Sequence, residues 1–127
     1  MKAIAVAFVV LALVGCSTQP RFASEPVDVR EGQLHFFWIP DRSDRNLEVP
    51  AKAARDKVPG RVLVAYLIDS DGKVVDPQVM SARPPGLYNE AALNLIRTQR
   101  FRPAPSNTNR IPVRVRTEIT FNLDEGG

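Results

Sequence analysis

The stretch Gly60-Arg61-Val62-Leu63-Val64-Ala65-Tyr66-Leu67-Ile68-Asp69-Ser70-Asp71-Gly72 decides the fold. Val62, Val64, Tyr66 and Ile68 recur with a period of two, which places their side chains on one face of a strand. The intervening Leu63, Ala65 and Leu67 are apolar as well, so the opposite face needs a cover. Residues 34–39 of the same chain are the nearest candidate, and a second copy of the protein is the alternative. Asp71-Gly72 is the pair that suits a type I′ turn, in which both central residues take positive φ. A second strand over residues 73–80 is therefore expected to return antiparallel to the first.

Downstream, Pro84-Pro85-Gly86 interrupts the chain and Asn89 is placed to cap a helix. Behind Tyr88, the residues Ala92, Leu93 and Ile96 recur at three- and four-residue spacing, which predicts a helix ending near Thr98. After a polar loop, Val113, Val115, Ile119 and Phe121 alternate with Arg114, Arg116, Glu118 and Thr120. Residues 111–121 thus read as a third strand, polar on one face. Upstream, Pro50-Ala-Lys-Ala-Ala-Arg-Asp-Lys57 sets helix formers behind a proline suited to a first helical position, which predicts a short helix. The expected order is α-β-β-α-β. It builds an α+β two-layer domain, a three-stranded antiparallel sheet with two helices on one face.

These segments together resemble the TonB C-terminal domain family. The resemblance is carried by Val-Pro-Ala-Lys-Ala at 49–53, Gly60-x-Val-x-Val-x-Tyr66-x-Ile68, Asp71-Gly72-x-Val74 and Val79-Met-Ser-Ala82. It continues through Asn89-Glu-Ala-Ala-Leu93, Arg100-Phe101-Arg-Pro103 and the final alternating strand, in order over residues 50–121. The resemblance implies a periplasmic domain that binds an extended peptide of outer-membrane receptors by adding it beside the last strand. It also implies a contact role for the polar stretch before the first helix, here Arg45-Asn46-Leu47-Glu48. Two departures stand out: Gln99 occupies a position where the family often has Trp, and Val49 one where it has an aromatic.

Full energy transducers of the family begin with a membrane helix and a long Pro-rich spacer. Here Lys2 precedes twelve apolar residues, Ala3 through Val14, about 18 Å as a helix, well short of a ~30 Å hydrocarbon core. Such a segment reads as a secretory signal. Leu13-Val14-Gly15-Cys16 resembles the bacterial lipobox, which implies removal of residues 1–15 and lipidation of Cys16. Acyl chains at about 0.8 kcal/mol per buried methylene would hold the protein on the membrane. Ser17, rather than Asp, implies sorting to the outer membrane. The 11 prolines are scattered and form no stiff spacer.

Residues 16–49 then read mostly as the lipidated cysteine and a tether, and 50–124 as the domain. Within the tether, Leu34-His35-Phe36-Phe37-Trp38-Ile39 holds three of the nine aromatics consecutively and is expected to pack on the domain as an extended segment.

One cysteine and one histidine exclude an internal disulfide and a Cys/His zinc cluster. Asp69, Asp71 and Asp76 lack the Gly and Glu of a calcium loop. Without a Ser/His/Asp order or an available thiol, no enzyme, cofactor or metal is expected.

The expected mechanism is strand addition, in which the unpaired N–H and C=O groups of a sheet edge capture an extended segment. The final strand is the candidate edge, with Arg110, Val113, Arg114, Val115, Arg116 and Thr120 as contacts. Six arginines and no acidic residue fall in 97–116, which favours an anionic partner. For an exported chain this means a receptor peptide or another envelope protein rather than nucleic acid. The competing reading is a structural envelope lipoprotein, a homodimer held by the second apolar face and Phe36-Phe37-Trp38.

Overall fold

In a computed structural model, the described residues are 19–41 and 50–121. The strand predicted first is β3, Gly60–Ile68, and it lies inside the sheet. Earlier in the chain come β1 (Val27–Asp28), β2 (Trp38–Asp41) and helix α1 (Ala51–Asp56). After β3 come β4 (Val74–Arg83), helix α2 (Asn89–Thr98), β5 (Arg100–Pro103) and β6 (Val113–Phe121). A single 3-10 helix, Glu31–Phe36, joins β1 to β2.

The main sheet has the order β1-β6-β3-β4. β3 pairs antiparallel with β4 and, over its whole length, with β6 from Gly60↔Phe121 to Ile68↔Val113. The alternation read from the sequence is realised. Val62, Val64, Tyr66 and Ile68 are buried on the same face as Val113, Val115, Ile119 and Phe121. α2 covers this face with Ala91, Ala92 and Ile96, and Ala53 of α1 joins the same cluster.

The expected three-stranded sheet is corrected to a four-stranded sheet plus a two-stranded one, β2 with β5. The added strands have two to four residues, too few for a period-two pattern to register. Trp38 recruits them. It is 0% exposed and its indole Nε1–H donates to the Ile111 carbonyl at 2.8 Å. Burying such a ring removes roughly 200 Å² from water, worth about 5 kcal/mol before ordering costs. That gain offsets the entropy of fixing the segment. Phe37 accepts through its carbonyl from the Ala104 N–H at 3.0 Å and from Asn107 Nδ2 at 2.8 Å, which extends the docking.

The aromatic segment therefore covers the first face of β3, not the second. Trp38 shares one cluster with Val62 and Val64, and Leu34 and Phe37 lie against it. On the opposite face, Arg61 is exposed and Leu63, Ala65 and Leu67 are half-buried.

Two local expectations are also corrected. The β3–β4 loop has positive φ only at Gly72 (φ 79), not at Asp71. The chain turns through Gly72 N–H to the Asp69 carbonyl at 3.0 Å, while the Asp69 carboxylate accepts from the backbone of Asp71 at 2.9 Å and Lys73 at 3.0 Å. A side-chain turn thus replaces the type I′ turn. Nor does Asn89 cap α2; the cap position falls to Tyr88. Tyr88 instead lies stacked on Phe121, with ring centroids 4.1 Å apart, and its hydroxyl donates to the Val58 carbonyl.

Candidate functional site: the edge of the last strand

In an antiparallel pair, alternate residues turn both backbone groups toward the partner, and the residues between turn theirs away. On the outer side of β6, Val27 N–H donates to the Pro112 carbonyl at 3.0 Å and Val29 N–H to the Arg114 carbonyl at 2.9 Å. The residues of Arg114's parity therefore face outward: Arg116, Glu118 and Thr120. Among the described residues, no backbone hydrogen bond reaches that side of these three.

The edge is thus divided. Its start is occupied by β1, a parallel strand with register Val27↔Val113 and Asp28↔Arg114. The Arg114 guanidinium also pairs with the Asp28 carboxylate at 2.8 Å, an exposed pair of small energetic worth. The remainder of the edge is open for about three residues on one side of the 3-10 helix.

Below this open portion lies a cleft between the 3-10 helix, α2 and β6. Leu34, Leu95, Ile96, Phe101 and Ile119 give it apolar walls, with Tyr66 and Thr117 among its polar groups. The Tyr66 and Thr117 hydroxyls are hydrogen-bonded at 2.8 Å. Burial raises the Tyr66 phenol above its usual pKa; the Thr117 hydrogen bond opposes that shift and the Glu31 charge adds to it. Inward side chains of a strand added beside β6 would point into this cleft, and outward ones would pass Arg116.

The residues singled out from the sequence divide accordingly. Arg114, Arg116 and Thr120 are exposed along the outer face of β6, whereas Val113 (0% exposed) and Val115 (1%) face the core. Their side chains hold the strand, and only its backbone meets the edge. Arg110 lies apart, before β6, with φ 50, and its guanidinium donates to the Ser70 carbonyl at 3.4 Å. Cys16, Arg45 and Asn46 lie outside the described residues. Sequence reasoning missed Leu34 and Leu95 as cleft walls, since both read as ordinary packing positions. It also missed β1, which offers only Val27-Asp28 as a signal.

Residues 45–123 match the family of the Gram-negative bacterial TonB protein C-terminal, and the chain belongs to that family. Among solved structures, it resembles the Pseudomonas aeruginosa TonB C-terminal domain at 24% identity, with a TM-score of 0.60 over 71% of this chain and 90% of that one. It also resembles the TonB2 protein of Vibrio anguillarum at 22% identity, with a TM-score of 0.52 over 64% and 77% of the two chains. No curated protein matches the sequence. Domains of this family are non-enzymatic binding domains that act in the cell envelope and interact with outer-membrane receptors and envelope proteins. Among the described residues, no helix is long and apolar enough to cross a membrane.

Proposed function

We propose that the protein is a lipid-anchored periplasmic binding module that captures an extended peptide by strand addition at β6 and assists TonB-dependent transport. The observation that carries this reading is the divided edge: β1 already sits on β6 as a short parallel strand, and the open backbone of Arg116, Glu118 and Thr120 continues the same row. Each backbone pair made there adds about 1 kcal/mol. Side chains entering the cleft and acidic groups meeting Arg114 and Arg116 supply selectivity.

The anchor is Cys16, acylated after removal of the apolar leader, and the expected site is the inner leaflet of the outer membrane. The nearby partners are then receptors whose peptides hang into the periplasm. No cofactor or catalysis enters this role.

Photoreactive residues in place of Arg116 and Thr120 test it in cells. Adducts to a receptor or another envelope protein are expected from both positions. Adducts absent at both, with a control position on β4 equally silent, contradict strand addition at this edge. The self-association reading draws on half-buried Leu63, Ala65 and Leu67, but Trp38 is buried and cannot serve it. Under that reading the same positions yield adducts with a second copy.

A further inference from the structure

The chain docks on the domain much earlier than a tether over residues 17–49 implies. Ser70 N–H donates to the Arg21 carbonyl at 2.7 Å, Ala23 N–H donates to Ser70 Oγ at 2.8 Å, and Arg21 N–H reaches the Asp69 carboxylate at 3.3 Å. Pro20 already lines the groove beside Lys73, Arg97 and Arg100. Cys16 precedes Pro20 by four residues, so the leash between them spans at most about 14 Å. A domain held this closely has little choice of which end meets the bilayer.

The end that holds the leash is also basic. Lys73, Arg97, Arg100 and Arg110 are exposed there, and among the described residues no ion pair uses any of them. Arg21 pairs with Asp71 at 3.3 Å, and Asp69 is buried and hydrogen-bonded to the backbone. Two exposed acidic groups oppose the four cations at this end, Asp76 and Asp41, which stands opposite Arg100 in the β2–β5 pair. Phe22, next to the leash, is 40% exposed, an apolar ring of the kind that buries at the boundary between headgroups and acyl chains.

We infer that the β3–β4 turn end of the domain rests directly on the bilayer, with Lys73, Arg97, Arg100 and Arg110 on anionic phospholipid headgroups and Phe22 at the interface. This inference rests on the acylation of Cys16 proposed above. Basic residues within a Debye length of an anionic leaflet are attracted to it, and the leash keeps them within that range. The opposite end, where Tyr88 packs on Gly60, then points away from the membrane. β6 stands upright between the two, its start near the lipid and its open portion, Arg116 to Thr120, farther into the periplasm.

Acylated full-length protein in phosphatidylethanolamine–phosphatidylglycerol vesicles carrying a nitroxide-labelled phospholipid tests the orientation. Acylation of Cys16 leaves an introduced cysteine as the one free thiol for a fluorophore. T98C marks the basic end of α2 and E90C the far end, about 12 Å away along the helix. Quenching at T98C is expected to exceed that at E90C about threefold, and to drop toward it when Lys73, Arg97 and Arg100 are all changed to Gln. Equal quenching at the two positions on acylated protein overturns the orientation alone. An equal preference in vesicles of neutral lipid overturns the headgroup contact. A mass spectrum without acyl chains on Cys16 overturns the anchor itself, and this inference with it.

Discussion

Val29 N–H donates to the carbonyl of Arg114 at 2.9 Å, so the chain's own N-terminal arm is the first strand on the edge of β6. An incoming peptide that extends over Arg114 competes with this contact. Removing the donor by Val29→Pro costs the arm about 1 kcal/mol, about fivefold in its docking equilibrium. Photocrosslinking from Arg114 is expected to increase by a similar factor in V29P. A decrease identifies the arm as part of the binding surface rather than its competitor.

Trp38 ties the arm to the domain from beneath. Trp38→Ala removes a fully buried ring and the hydrogen bond to Ile111, with an expected loss of about 3–5 kcal/mol. Denaturant melts of the full chain measure this. A loss under about 1 kcal/mol indicates that residues 19–41 do not belong to the cooperative unit.

Gly72 and Gly86 both have positive φ, 79 and 82, and so separate backbone conformation from crowding. A Cβ on Gly72 falls 2.0 Å from the Phe101 carbonyl oxygen, whereas one on Gly86 meets nothing within 4 Å. Gly86→Ala is expected to cost about 1 kcal/mol, from the left-handed backbone alone. Gly72→Ala costs several times more, because β5 must move away from the turn. Equal losses in thermal melts refute the close approach of β5.

Tyr66 supplies a pH signature. Its folded pKa is raised from 10.0, chiefly by burial. The unfolded chain therefore releases this proton first as pH rises. The contribution of Tyr66 is intact below about pH 10 and declines as pH climbs through the folded value. Denaturant midpoints between about pH 9 and 11 are expected to fall less steeply in Tyr66→Phe than in the unchanged protein. Identical slopes indicate an accessible phenol.

The parts of the fold legible in the sequence are those with long periodic patterns. β3 and β6 alternate over nine residues each, and α2 spaces Ala92 and Ile96 on one side. β1 was invisible because two residues carry no period and its pairing partner lies some 86 positions away, as in Asp28 and Arg114. Trp38 stood out as apolar, yet which face of β3 it covers depends on the β2–β5 pairing, a contact between distant segments. As a calcium ligand Asp69 is weighed and rejected on the sequence, while its carboxylate in fact organises the turn. For the site, alternation identified Arg116 and Thr120 correctly as exposed. It gave no sign that the first part of the edge is already occupied.

Strand addition makes a claim about particular amides, and hydrogen exchange reads them one by one. Full-length protein is compared with and without a synthetic peptide carrying the periplasmic N-terminal segment of an outer-membrane receptor. The amides of Arg116, Glu118 and Thr120 are expected to slow about tenfold or more on peptide addition, with those of Val79 and Ala82 on β4, which turn away from β3, unchanged. Unaltered exchange along β6, or protection that appears on β4 instead, contradicts the assignment of β6 as the binding edge.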